Sequence, residues 1–160
     1  GVYSIIFGSL AILIYVFIRF SFSFGIASIL ALFHDFILTA FLVNLFGIEI
    51  TLSSIAAILT VIGYSVNDTI VIFDRIRENI RNVSDSFENI IEISIHQTLS
   101  RTILTVITVL VVLIPLYFVG GMEIKDFALI MILGVGLGTY SSIFYAPYLM
   151  YLLNKGNKND

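Results

Sequence analysis

Thr51 to Asn79 reads TLSSIAAILTVIGYSVNDTIVIFDRIREN, with Gly63-Tyr64-Ser65-Val66-Asn67-Asp68-Thr69 at its centre. From Thr51 to Phe73 the run is apolar enough to cross a bilayer, and Asp68 is its single charged side chain. A span of about 20 apolar residues suffices for a membrane helix. An ionisable group inside such a span is expensive and by default marks ion or proton handling. Thr60, Tyr64, Asn67, Asp68, Val71 and Arg75 fall on one face at helical spacing. That polar stripe should face protein or water, with lipid or packed neighbours on the other side. Gly63 beside the stripe should let another helix approach.

The whole chain fits this setting. Of its 160 residues 59% are hydrophobic and 12% are charged, and its mean hydropathy is +1.06. Soluble domains run about 45–50% apolar and about 25% charged. The chain is expected to be an all-α membrane protein, a five-helix transmembrane bundle. The expected spans are residues 2–18, 24–46, 51–73, 102–119 and 127–153. Residues 75–100 alternate charges with apolar residues at helical spacing. They are expected to form amphipathic helices at the cytoplasmic surface, Arg75–Val83 and Ser86–Ser100, with Asp85 and Glu88 resembling a helix start. Gly47 and the Gly120-Gly121 pair mark turns. The net charge is −3, but the placement of the basic residues says more. Arg19, Arg75, Arg77, Arg81, Arg101, Lys155 and Lys158 fall on one side of the five-span arrangement, and Lys125 falls on the other. That asymmetry puts the 75–101 connection and the C-terminus in the cytoplasm and the N-terminus outside. A chain opening on Gly1 directly at a span is expected to be a fragment, with material upstream on the outer side.

Several functions are disfavoured. The chain has no cysteine and two histidines far apart in sequence, so no metal centre is expected. Nothing suggests another cofactor or a nucleic-acid partner. The glycines of Gly134-Val135-Gly136-Leu137-Gly138 lack the following lysine and preceding strand of a phosphate loop. Gly134, Gly138 and Ser142 instead make a small-residue ridge suited to helix packing.

Two further polar groups lie at membrane depth. His34 and Asp35 sit near the middle of the second span, and Thr39 shares the face of Asp35. Both a structural hydrogen-bond role and a part in proton handling remain open for them. Counting from the outer turns places Asp68 and Arg101 at matching depth, each about 27 Å down at 1.5 Å per residue. Such a pair can coexist where either charge alone would be penalised. Burial disfavours a charged carboxylate and a neighbouring arginine favours it. Asp35 lies about 9 Å shallower than Asp68 on the same count. An aspartyl protease dyad, which needs its carboxylates about 3 Å apart, is therefore disfavoured, and no enzymatic activity is expected.

The segments Phe33-His34-Asp35-Phe36-Ile37-Leu38-Thr39, Gly63–Asn79, Ser100-Arg101-Thr102 and Gly138-Thr139-Tyr140-Ser141-Ser142 together resemble the SecD/SecF family of bacterial protein-export membrane proteins. Within it they resemble the SecF side, since SecD relatives usually lack the His-Asp-x-x-x-Thr and Tyr-Ser-x-Asn-Asp-Thr elements. The resemblance covers essentially the whole chain and implies the resistance-nodulation-division superfamily. It implies helices two to six of a six-helix subunit, without the first helix and the outer domain. It further implies a multi-pass protein of the bacterial cytoplasmic (inner) membrane. That protein would pair with SecD, work with the SecYEG translocon on exported preproteins, and use the proton motive force to promote translocation. The positions matching the family's proton-transport residues are Asp68 and Arg101, with Asn67, Tyr64, Thr60, Thr69, His34, Asp35 and Thr39 in support. A proton-driven exporter of small molecules or lipids from the same superfamily is the alternative.

Overall fold

The computed structural model describes residues 22–156 and six positions before them: 3, 7, 8, 10, 11 and 14. Most of the expected span 2–18 lies outside the described residues. The chain order is α1 (Phe22–Leu45), α2 (Leu52–Asn82), α3 (Phe87–Val119), α4 (Met122–Tyr140), one π-helical turn (Ser141–Tyr145) and α5 (Ala146–Gly156). Among the described residues four helical stretches are long and apolar enough to cross a membrane: Ser23–Leu45, Leu52–Asn82, Phe87–Val119 and Met122–Asn154.

Local chemistry sets the ends of these helices. α1 closes at Gly47, whose φ of 63° is left-handed and suits glycine. The Gly47 amide donates to the Asn44 carbonyl at 3.0 Å and the Ile48 amide to the Val43 carbonyl at 3.0 Å. These bonds serve carbonyls that would otherwise lack a partner at the helix end. α2 opens on a capping box. The Ser54 amide donates to Thr51 Oγ1 at 3.2 Å, and the Thr51 amide to Ser54 Oγ at 3.4 Å. Ser86 caps α3 by accepting from the Asn89 amide at 3.3 Å, and Asp85 Oδ1 accepts from the Ser86 amide at 2.7 Å. Gly120 and Gly121 make the turn into α4.

Three boundaries differ from the sequence expectation. The segment 75–100 does not form separate surface helices. α2 continues unbroken through Arg75 to Asn82, and α3 begins at Phe87 and runs on through Arg101. No glycine or proline interrupts either stretch, so nothing ends the helix where the apolar run ends. The two helices are about 46 and 50 Å long at 1.5 Å per residue, well beyond a hydrocarbon core of about 30 Å. Their extensions form an antiparallel hairpin, fixed where Arg75 Nε donates to Gln97 Oε1 at 2.7 Å. Asn79 Nδ2 donates to Ser94 Oγ at 2.8 Å and to Gln97 Oε1 at 2.9 Å. The expected last span also begins earlier, at Met122, and it carries the π turn that periodicity did not reveal.

α2 is the central helix and packs against α1, α3, α4 and the π turn. Val61, Ile72, Phe73 and Ile76 on α2 are at most 1% exposed, and they meet a core that includes Ile130, Val135 and Met150. α1 crosses α2 antiparallel, with Phe24 edge-on to Phe73 at 5.4 Å. α4 runs parallel to α2 in register. A Cβ on Gly134 would lie 2.3 Å from Val61 Cγ2, and one on Gly138 would lie 2.9 Å from Ser65 Cβ. Four residues further on, Ser142 Oγ and Thr69 Oγ1 are 3.0 Å apart. The ridge Gly134, Gly138, Ser142 thus meets Val61, Ser65, Thr69 step for step. Gly63 behaves otherwise: it is exposed, and a Cβ there would touch nothing within 4 Å. It admits no neighbour from the described part of this chain. Leu30, Phe33, Ile37, Phe41 and Leu45 of α1 and Leu104, Val111, Val112 and Phe118 of α3 are exposed, as befits surfaces turned to lipid or another membrane chain.

Overpacking a tight seam costs about 1–3 kcal/mol. Gly134→Ala and Gly138→Ala should each lower stability by about that amount, read by thermal unfolding of the full-length protein in detergent. Gly63→Ala should hold or raise it by up to about 1 kcal/mol, the helix-propensity gain. Equal effects at Gly63 and Gly138 would contradict the α2–α4 register.

Candidate functional site

The site lies on α2 between its packed and open faces. Asp68 is 4% exposed, and its Oδ2 has no hydrogen-bond partner among the described residues. One turn earlier the buried Tyr64 hydroxyl is likewise unpartnered and stands beside Thr105 of α3. Arg101 lies one turn from Thr105. It acts on Asp68 through space and is itself exposed. Thus Tyr64 faces Thr105 as Asp68 faces Arg101, the two rungs one turn apart on antiparallel helices. The expectation of a shared depth agrees with this register. The direct ion pair does not form: among the described residues Asp68 and Arg101 make no salt bridge. Arg101 stays at the exposed edge of α3, while the Asp68 side chain is drawn into the bundle with Thr69.

The expected polar stripe divides in two. Asp68 is buried and Tyr64 half-buried, whereas Thr60 and Asn67 are exposed. Thr60 Oγ1 donates back to the Ala56 carbonyl at 2.8 Å and so satisfies itself locally. Ala56, Thr60, Gly63 and Asn67 form an exposed strip of small and polar side chains at helical spacing. Thr69 turns inward to Ser142, whose hydroxyl also lies 3.2 Å from the Ser65 carbonyl and 2.8 Å from the Gly138 carbonyl.

The second polar group gathers around Asp35, which is 1% exposed. Ser65 donates its hydroxyl to Asp35 Oδ2, and His34 Nδ1 lies 3.1 Å from Asp35 Oδ1. His34 stacks on Tyr145 of the π turn, with ring centroids 4.3 Å apart at 22°. Thr39 shares the buried face of Asp35, but its hydroxyl has no partner among the described residues. Asp35 and Asp68 therefore have separate surroundings and make no shared-proton dyad. Sequence reading passed over Ser65, Ser141 and Tyr145, and over Asn79, Ser94 and Gln97 of the hairpin. A usable signal was present for Ser65, which stands at the middle step of the α2 face opposite Gly138. Among the described residues no group of histidine, cysteine and carboxylate side chains could hold a metal ion.

Comparison with known proteins gives this geometry a family. The family model described as "Protein export membrane protein SecD/SecF, C-terminal" matches residues 1–156. The chain belongs to the SecD/SecF family. It is 53% identical over 147 residues to protein translocase subunit SecF of Borreliella burgdorferi, covering 90% of this chain and 49% of that protein. It is 49% identical over 154 residues to the subunit of the same name from Desulfurispirillum indicum, covering 94% and 49%. The fold matches the crystal structure of SecDF in its super-membrane-facing form with a TM-score of 0.85 and 43% identity, over 92% of this chain and 20% of that one. It matches SecDF from Thermus thermophilus, a translocon-associated membrane protein, with a TM-score of 0.81 and 44% identity, over the same shares. The chain spans about half the length of these curated relatives. It is an integral membrane protein of all-helical architecture, like the membrane part of those structures.

Breaking a buried ion pair costs about 3–5 kcal/mol, so the separation of Asp68 from Arg101 has a measurable consequence. Arg101→Gln should lower stability in detergent by less than about 1 kcal/mol, the range of an exposed, screened charge. A loss of several kcal/mol would mean that the two groups pair directly.

Proposed function

We propose that this chain is the membrane part of a SecF-type subunit of a SecDF complex in the bacterial cytoplasmic membrane. It uses the proton motive force to promote export of preproteins through the SecYEG translocon. Asp68 is the proton-carrying group, and Arg101 stabilises its charged form through space. The observation that carries this reading is the buried, unpartnered oxygen of Asp68. A buried polar atom without a partner costs about 1–3 kcal/mol, and more when charged. The cost is relieved if the carboxyl carries a proton, or if a donor arrives from outside this chain. Proton transfer needs both conditions in alternation.

The open strip of Ala56, Thr60, Gly63 and Asn67 beside Asp68 supports a partner at this face. Small residues there would let a helix of the second half, SecD in this reading, come close to the carboxylate. The names of the relatives favour protein export over small-molecule or lipid export. In this reading the bundle has five spans, with the N-terminal end outside and the C-terminus cytoplasmic, and it has no enzymatic role. Moving one charge across 100 mV is worth about 2.3 kcal/mol. That biases a two-state element by tens-fold, a scale suited to shifting helices.

The test is export of a secreted reporter in cells carrying full-length variants, with membrane potential and protein level controlled. Asp68→Asn keeps the size of the side chain but cannot take up a proton. It should insert normally and abolish the proton-dependent part of export, while Asp68→Glu retains part of it. Wild-type export by Asp68→Asn at normal abundance would refute the reading.

A further inference from the structure

α1 carries a second enclosed carboxylate that the proton path through Asp68 does not use. Asp35 receives the Ser65 hydroxyl on one oxygen and has His34 Nδ1 at 3.1 Å from the other. The Ser141 hydroxyl, first in the π turn, stands beside the same carboxylate without a hydrogen-bond partner of its own among the described residues. His34 is the one titratable side chain among the described residues with a hydrogen bond or ion pair to Asp35. Ser65 and Ser141 are uncharged, Tyr145 stacks on the ring of His34, and neither Asp68 nor Arg101 makes a hydrogen bond or ion pair with Asp35 among the described residues.

A hydrogen-bond node of neutral hydroxyls would be served as well by asparagine. The histidine gives the aspartate a different chemistry. His34 is 28% exposed while Asp35 is 1% exposed, so the imidazole joins the closed interior to its edge. Its face lies on the Tyr145 ring, which fixes the orientation of the imidazole beside the carboxylate. One proton can therefore lie on His34 Nδ1 or pass to Asp35 Oδ1, with no other group required.

Ser65 ties this pair to the packing seam. Its hydroxyl serves Asp35, its carbonyl accepts from Ser142 Oγ at 3.2 Å, and Gly138 packs against its Cβ. When Asp35 is ionised, Ser65 must donate to it. When Oδ1 takes the proton from His34, Oδ2 becomes the carbonyl oxygen of a neutral acid and holds the Ser65 hydroxyl less tightly. The serine hydroxyl is then freer to turn, at a step where Gly138 of α4 packs against it. π turns are frequent at functional sites, and this one supplies Ser141, Ser142 and Tyr145 to the same cluster.

We propose that Asp35 is a second proton-binding site, exchanging its proton with His34, and that Ser65 transmits its charge state to the α2–α4 seam. The proposal goes beyond the role of Asp68 and does not depend on it. The experiment is pH-difference infrared spectroscopy of the full-length protein in membranes, reading the stretch of protonated carboxyl groups. Asp68→Asn should keep a titrating carboxyl band, and the same band should be lost in Asp35→Asn. Ser65→Ala, which keeps the carboxyl, should move that band to higher frequency, because a carbonyl released from a hydrogen bond stretches faster. His34→Gln should change the pH profile of the band. If Asp35→Asn fails to insert, the Ser65→Ala and His34→Gln spectra decide. A spectrum in the Asp68→Asn background with no titrating band, or with one indifferent to both Ser65→Ala and His34→Gln, would overturn the proposal. Loss of the Asp68 band alone bears on the proposed function and leaves this site untouched.

Discussion

A polar atom in an apolar interior must find a partner or carry a cost, and at the site Oδ2 of Asp68 finds none among the described residues, nor does the Tyr64 hydroxyl one turn before it. The surroundings make the open oxygen informative. Thr69, the next residue, has Ser142 at 3.0 Å. Thr60 bonds its own backbone, and Asn79 has two partners at the far end of the hairpin. The fold satisfies Thr60, Thr69 and Asn79 and leaves the Asp68 oxygen open beside the Tyr64 hydroxyl. Such local dissatisfaction, inside a helix otherwise fixed on several sides, is what a group that gains and loses a proton requires.

Close packing holds α2 in place. The parallel contact with α4 is built from Gly134 and Gly138, where a single added carbon would collide with Val61 or Ser65. Helices that pass so close are sensitive to small changes in register. The long antiparallel pairing with α3 works differently. Its polar rungs, Arg75 with Gln97 and Asn79 with Gln97 and Ser94, leave the apolar outer face of α3 exposed. α2 is thus rigidly seated on the α4 side and joined to α3 by polar groups. Changes in charge at Asp68 are therefore expected to be felt along the α2–α3 hairpin.

Much of this was legible in the residues. Apolar runs marked the membrane-length helices, Gly47 marked a turn, and the spacing of Gly134, Gly138 and Ser142 marked a packing ridge. Asp68 stood out because nothing else charged lies in its run. What periodicity could not supply was anything set by rotation about the helix axis or by continuation beyond the membrane. Counting residues put Asp68 and Arg101 at one depth, but depth does not say which way Arg101 turns. Apolar content fell after Phe73, yet helical hydrogen bonding did not, so α2 and α3 extend past the apolar runs. Gly63 and Gly138 read alike as small residues, and only neighbours in space separate an open glycine from a packed one. Ser65 and the π turn escaped notice because hydroxyls in apolar helices usually bond their own backbone.

The most direct test of the account is the protonation state of Asp68 itself. Solid-state NMR of carboxyl-labelled aspartate in the assembled complex in bilayers can follow its resonance, assigned by its loss in Asp68→Asn. The account predicts that this resonance passes between its protonated and ionised positions within the pH interval separating the two sides of the membrane. A resonance fixed in one state across that interval would contradict it.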